Sequence, residues 1–382
     1  MAQQIIVIGA GIAGLATAAA LQQRGHSVTI VEERTDTSSG AGISIWPNAL
    51  AALDEIGLGD AVRAAGGRIT GGAVRWRTGS WLRRPTAQRI VTALGEPLVV
   101  VQRAALRDIL AGALRPGTLR TGVAATAVRE RADRVVVELA DRSSVQADAV
   151  IGADGTRSVL ARQLNGPLPE RYAGYTAWRG VADIALSAEL AGETLGAGLE
   201  VGHVPLSADR TYWFATERRP PGQGGAAAEE LAYLRTRFSG WAQPVPEILA
   251  ATAESSLLRN DIVDRAAAPH WARGRMVLVG DAAHPMRPHL GQGGCQALED
   301  AAILAELFDR GSGPAQSFAA FEEFRKPRVR ALIRESRMIG RIVNLRPAVL
   351  SAAAGRATML MPEALVTRHL ASIAARSAFR LP

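Results

Sequence analysis

The chain has 382 residues, 48% hydrophobic and 21% charged, enough to bury a large core in one or two globular domains. Its one cysteine, Cys295, excludes an internal disulfide and any cysteine-built metal centre, and fits a reducing cytoplasm. The net charge of +8 does not point to nucleic acid, because Lys326 is the only lysine, the arginines are scattered and no long basic run occurs.

Ile5-Ile6-Val7-Ile8 is a short β-branched run that reads as a buried strand. It leads into Gly9-Ala10-Gly11-Ile12-Ala13-Gly14, an Ala/Leu-rich helix to Gln23, and a second apolar run, Val28 to Val31, ending in Glu32. Strand, glycines, helix, strand and acid make a βαβ unit with a dinucleotide fingerprint. Gly9 permits the sharp turn, Gly11 permits close approach to a pyrophosphate, and Gly14 lets helix and strand pack tightly. The helix then offers unpaired N–H groups and partial positive charge to phosphates. Glu32 stands where a carboxylate accepts ribose hydroxyls. The run from Ile5 to Leu21 is not read as a signal peptide or a span: Met1 to Gln4 carry no basic side chain, three glycines interrupt it, and it falls short of roughly 20 residues. No other segment is long and apolar enough to cross a bilayer.

After a polar loop containing Glu33 and Arg34 comes Gly42-Ile43-Ser44-Ile45-Trp46-Pro47-Asn48, then a helix over Asn48 to Ile56 closed by Gly57 and Gly59. Ile69 to Trp81 has strand character with several glycines, which suggests a move to a different sheet. Val99 to Arg103 returns to strand, followed by a helix over Ala104 to Leu114 that Pro116-Gly117 stops. Strands are expected at Leu119 to Arg129, Val135 to Leu139, Tyr172 to Leu186 and Gly196 to Phe214. Asp148 to Gly155 reads as a buried strand ending in a tight Asp154-Gly155 turn, with Arg157, Ser158 and Arg162 beyond it. Ala227 to Ser239 and Trp241 to Ala253 read as helices. Met276 to Val279 is the last clear strand; it runs into Gly280-Asp281-Ala282-Ala283-His284-Pro285, then Pro288-His289-Leu290-Gly291-Gln292-Gly293-Gly294. Helices follow over Cys295 to Phe308 and Phe318 to Ile342, the second with a break or kink at Pro327, and the tail from Pro347 to Ala378 is helical.

Three stretches, Gly9 to Gly14, Asp154-Gly155 and Gly280-Asp281, follow one pattern in order. The chain resembles the single-component, class A FAD-dependent aromatic monooxygenases of the para-hydroxybenzoate hydroxylase fold, up to about Gly340. The resemblance implies an α/β fold: a Rossmann-like FAD-binding domain with an inserted, smaller mixed or antiparallel β-sheet substrate domain and a helical C-terminus. The corresponding boundaries are 1–70, 96–168 and 270–345 for the discontinuous FAD-binding domain, 71–95 and 169–269 for the substrate-binding domain, and 346–382 for C-terminal helices. The cofactor-binding residues it implies are Gly9, Gly11, Ala13, Gly14, Glu32, Glu33, Arg34, Ser44, Arg103, Ala125, Asp154, Asp281, Gly291, Gly293 and Gly294. Asp281 would meet the ribitol, and Arg157, Ser158 and Arg162 would serve FAD and passing NADH or NADPH. Gly291 to Gly294, opening a helix, suit the negative charge of a reduced flavin. His284 and His289 invite a general-base reading, but a structural one is favoured. Cys295 stands where many members have asparagine, which puts one side-chain hydrogen bond in doubt. No second GxGxxG follows a strand, which favours transient NAD(P)H docking.

The implied chemistry is NAD(P)H- and O2-dependent hydroxylation or epoxidation of a small aromatic or heteroaromatic molecule through a flavin 4a-hydroperoxide, in a dry pocket. Rivals are a flavin-dependent halogenase, weakened by the lack of a Trp-x-Trp-x-Ile-Pro stretch, and a non-catalytic ligand-sequestering flavoprotein. The likeness is strongest to the urate and salicylate or hydroxybenzoate hydroxylase branch. There Tyr212 matches an active-site tyrosine, and Glu200 falls where the urate enzymes hold urate with arginine. Alternation along one strand puts Tyr212 and Phe214 on the same face and Trp213 on the other. The substrate-binding set is therefore Tyr212, Phe214, Glu200 and Pro288, with Tyr212 as catalytic candidate and no metal. A carboxylate at Glu200 would disfavour urate and favour a neutral or cationic ring. The expected partners are this small molecule and O2, for a cytoplasmic monomer or homodimer without nucleic acid or a membrane span.

Overall fold

The computed structural model describes residues 2–35, 41–310 and 313–382. Gln4–Ile8 lies near the middle of a six-stranded sheet ordered Ala272–Arg273, Met276–Leu278, Ala149–Gly152, Gln4–Ile8, Ser27–Glu32, Leu119–Thr121. Neighbours run parallel except for the outermost pair, Ala272–Arg273 with Met276–Leu278. Strands buried on both faces need apolar side chains at consecutive positions, which is why Ile5 to Ile8 and Ala149 to Ile151 do not alternate. The helices Ile12–Gln23 and Gly293–Arg310 pack together and share this core.

The order has a functional consequence. The strands carrying the three motifs are neighbours pointing the same way, so their carboxyl ends open on one edge. Ala153 N–H donates to Ile8 O at 2.8 Å and Val279 N–H to Gly152 O at 3.0 Å, which ties the three exits together.

A second sheet has seven strands, ordered Leu258–Asp264, Arg171–Ala182, Thr211–Glu217, Leu199–Pro205, Gly192–Gly196, Ala73–Trp76, Trp81–Arg83. Only Gly192–Gly196 with Ala73–Trp76 is parallel. One face, with Trp178, Val201, Trp213 and Ala215, packs on the helices Ala227–Arg237 and Val245–Ala250. The pairings put Tyr212, Phe214, Thr216, Glu200, Gly202 and Arg179 on the opposite face. A three-stranded sheet, Gly42–Ile45, Leu98–Gln102 and Gly67–Ile69, adjoins that face; another is formed by Ala125–Glu130, Val135–Leu139 and Ser144–Ala147.

Several expected elements change at this level. The change of sheet after Ile69 occurs, since Gly67–Ile69 pairs with Leu98–Gln102 whereas Ala73–Trp76 joins the large sheet. The strand expected from Leu119 to Arg129 divides: Val123 N–H bonds Glu32 O at 3.0 Å as the chain leaves the parallel sheet, and Ala125–Glu130 pairs elsewhere. Gly196 to Phe214 is not one strand but the hairpin Leu199–Pro205 and Thr211–Glu217, with Leu206 N–H on Arg210 O at 2.8 Å in the turn. Of the break or kink expected at Pro327, the break does not occur: one 30-residue helix, Pro314–Val343, runs through it. Phe321 and Arg325 before the proline and Val329, Leu332 and Ile333 after it are all buried, so packing on both sides outweighs one lost backbone bond. The tail forms two helices, Ala348–Ala357 and Glu363–Ala374.

Candidate active site

The glycine turn is built by three different constraints. Gly9 has φ +101°, and a Cβ there would stand 2.6 Å from Ala153 O. A Cβ on Gly14 would lie 1.9 Å from Gly9 O, so the helix reaches its strand only without a side chain. Gly11 has an ordinary φ of −74°, and a Cβ there would meet nothing within 4 Å among the described residues. Its job is to leave space open before the first turn of Ile12–Gln23, which has no acidic residue to compete for an anion. Ala13 faces Gly280, whose Cβ would stand 2.8 Å from its own. Glu32 accepts hydrogen bonds from Ala10 N–H at 2.7 Å and Arg34 N–H at 2.9 Å, which aims its carboxylate at the turn. Glu33 and Arg34 are exposed next to it, and the Val123–Glu32 bond brings the segment entering Ala125 alongside.

At the second strand end, Asp154 Oδ2 accepts from Val159 N–H at 2.7 Å, while Oδ1 is buried without a partner among the described residues. Burial pushes this carboxyl up, against the pull of Ser158 and the Val159 N–H. Ser158 is buried, and its Oγ accepts from Ala161 N–H at 2.9 Å, so its visible role is to cap Val159–Asn165. Arg157 and Arg162 are exposed, the former 3.3 Å from Glu170.

The third strand end is held from behind by groups that sequence reasoning missed. Asp281 is accessible on the turn Gly280–Ala282, while buried Arg265 donates to the carbonyls of Asp281 (2.7 Å) and Ala282 (2.8 Å). Asp300, fully buried, accepts from Gly280 N–H at 2.8 Å, His284 Nε2 at 2.6 Å and Arg325 Nε at 2.8 Å. Next to it Glu299 accepts from Arg325 (2.7 Å), Arg328 (2.7 and 2.9 Å) and Asn48 (2.7 Å). The signal available was Glu299-Asp300, two adjacent acids inside an apolar helical stretch. His284 is structural: besides Asp300 it packs on Trp271, ring centroids 4.9 Å apart. His289 packs on Tyr175 at 5.3 Å, and burial with nearby Arg287 lowers its pKa to about 4, so it is neutral at pH 7.

Gly291, φ +61°, precedes Gly293–Arg310, whose first turn is also free of acids. A Cβ on Gly294 would press to 2.8 Å on Ile43, which packs this turn on Gly42–Ile45. The Cys295 thiol bridges the same gap, donating to Ser44 O and accepting from Trp46 N–H, both at 3.5 Å. Burial pushes it up to about 12, so it stays neutral.

On the open face of the large sheet, Tyr212 is buried with its ring on Gly42, where a Cβ would stand 2.6 Å from the ring. It also packs with Ile69, Leu98 and Val100, so part of its role is core packing. Burial raises its hydroxyl pKa, opposed by Arg179 and Arg103. Phe214 covers Gly202, and Trp213 lies on the far face, donating to Thr252 Oγ1 at 2.9 Å, as the alternation required. Glu200 is buried, accepts from Thr216 Oγ1 at 3.1 Å, and is pushed up to about 8 by burial and by Glu193. The charged carboxylate assumed from sequence is thus corrected to a mostly protonated acid at neutral pH. Pro288 opens the turn Pro288–Leu290 and Arg103 the helix Arg103–Gly112, both exposed.

Residues 2–336 match the FAD binding domain family. The chain belongs to this family of FAD-dependent monooxygenases. It is 37% identical over 341 residues to the aurachin C monooxygenase/isomerase of Stigmatella aurantiaca, covering 88% of this chain and 89% of the relative. It is 35% identical over 338 residues to the FAD-dependent urate hydroxylase of Klebsiella pneumoniae, covering 87% and 88%. The crystal structure of Klebsiella pneumoniae HpxO complexed with FAD and uric acid superposes with a TM-score of 0.91 at 31% identity, covering 97% of this chain and 96% of that one.

The cradle of this flavoprotein fits FAD on its own evidence. The space at Gly11, the acid-free helix starts at Ile12 and Gly293, and the unpartnered Oδ1 of Asp154 are the features an ADP and a ribityl chain require.

Proposed function

We propose that the chain hydroxylates or epoxidises a neutral heteroaromatic ring, consuming NAD(P)H and O2, with the ring held on the face bearing Tyr212, Phe214 and Glu200. FAD supplies the electron relay from NAD(P)H to O2 and the oxygen-transfer chemistry when bound. In this reading Glu32 takes the adenosine ribose, Gly11 and Gly14 pass the pyrophosphate, Asp281 takes the ribitol, and the turn at Gly291 to Gly294 takes the pyrimidine end of the flavin. The Tyr212 hydroxyl donates to a ring substituent, and Phe214 excludes water. Protonated Glu200 donates to a ring carbonyl. The divisions at 1–70, 96–168 and 270–345 and at 71–95 and 169–269 are the domains of this proposal, in a cytoplasmic enzyme.

The observation that carries the reading is the buried Tyr212 and Glu200 on one face, the acid held neutral near pH 7. Its test is a panel of neutral, cationic and anionic rings scored by stimulated NADH and NADPH oxidation and product mass. Tyr212→Phe is expected to keep flavin content while raising KM or diverting electrons to hydrogen peroxide. Coupled hydroxylation of urate, or a Tyr212→Phe enzyme with unaltered KM and coupling, overturns it.

A further inference from the structure

The C-terminal helices carry a surface rich in arginine and in exposed apolar side chains. Residues 329–382 hold nine arginines against two glutamates, seven of the chain's eight net positive charges. Both glutamates are engaged, Glu335 with His369 at 2.6 Å and Glu363 with Arg89 at 3.7 Å. Arg330, Arg334, Arg341, Arg346 and Arg368 are exposed and meet no carboxylate among the described residues.

Among these cations lies exposed apolar surface. On Pro314–Val343 the residues Val329, Leu332, Ile333, Ser336 and Gly340 are buried. At 100° per residue Met338 and Ile342 point the opposite way, with Arg334 and Arg341 along the edge. Further exposed apolar side chains follow: Val349 and Leu350 on Ala348–Ala357, which packs on Pro314–Val343, and Leu360 in the turn Thr358–Leu360 that packs on Ala348–Ala357. Val349 is 65% and Leu360 85% exposed, far beyond what isolated surface leucines need. No described helix is long and apolar enough to cross a membrane.

We propose that this arginine-rimmed apolar ridge docks the protein on an anionic lipid surface. Apolar side chains entering the acyl boundary while guanidinium groups bind lipid phosphates is the pattern of interfacial helices. A second copy fits worse, because a symmetric contact sets the same unpaired arginines against each other. The helix Ala348–Ala357 also touches the substrate-side face of the large sheet: Ala352 packs with Trp76 and Leu195, and Ser351 Oγ accepts from Gly198 N–H at 3.0 Å. The ridge therefore adjoins the face bearing Glu200, which suits delivery of a lipophilic substrate from the bilayer. The docking itself does not rest on the substrate reading.

The experiment is co-sedimentation of the full-length holoenzyme with phosphatidylcholine vesicles, with and without phosphatidylglycerol, at low and high salt. Binding is expected only with phosphatidylglycerol and weaker in high salt. The double variant Val349→Asp/Leu360→Asp is expected to lower the partition coefficient at least about tenfold, with flavin content and substrate-free NADH oxidation unchanged. Arg341→Gln/Arg346→Gln is expected to weaken binding and flatten its salt dependence. No preference for anionic vesicles, or binding that both double variants leave intact, overturns the proposal. A dimer in solution that Val349→Asp/Leu360→Asp disperses also overturns it and assigns the ridge to a second copy.

Discussion

Replacing Asp300 with alanine tests how the third strand end is held in register. The wild-type carboxylate accepts three hydrogen bonds, from Gly280 N–H, His284 and Arg325, all between 2.6 and 2.8 Å. Alanine leaves a buried guanidinium with Glu299 as its remaining carboxylate and frees the N–H that fixes the turn bearing Asp281. Removing one partner of such a buried pair costs roughly 3–5 kcal/mol, a large fraction of ordinary stability. Asp300→Asn keeps the volume and one acceptor and should lose less. His284 and Arg325 hold the carboxyl at about 2 instead of 3.8, worth about 2 kcal/mol. Since the folded-state value is depressed, this stabilisation is present above pH 4 and is lost as pH falls toward 2. The gap between wild type and Asp300→Asn should therefore narrow on acidification. Urea denaturation of the apoprotein measures the stability, and titration with FAD, followed by flavin fluorescence, measures the cradle. A midpoint and FAD affinity for Asp300→Ala equal to wild type would refute the reasoning.

Glu32→Ala should lose most of its FAD on purification, since a charged acceptor for ribose hydroxyls is worth roughly 1.5–3 kcal/mol; full occupancy by absorbance would remove Glu32 from the cradle. Asp281→Ala should weaken FAD retention and turnover with the circular dichroism spectrum unchanged, and wild-type affinity would leave the carboxylate a mere turn residue. Glu200 predicts a pH effect of opposite sign. Its folded-state value is raised from 4.5 to about 8, so stability falls as pH climbs through that window. Glu200→Gln should flatten that decline in a denaturation series, and an unaltered slope would show that Glu200 ionises normally in the fold.

The cofactor edge was legible in the sequence because its constraints are local. Gly9, Gly11 and Gly14 serve backbone geometry within six residues, and Glu32 ends the next strand. The parity of Tyr212, Trp213 and Phe214 was legible for the same reason, since alternation belongs to a single strand. Other features depended on partners far along the chain. Asp300 reads as one more acid on a helix until folding brings Gly280, His284 and Arg325 around it. That Ser158 caps the next helix was not read from the sequence, because it depends on where that helix starts in the fold. Pro327 reads as a break until tertiary burial on both sides holds the helix through it. The charge state of Glu200 was beyond any local pattern: a glutamate codes for an anion in water, and only burial beside Glu193 makes it an acid that keeps its proton.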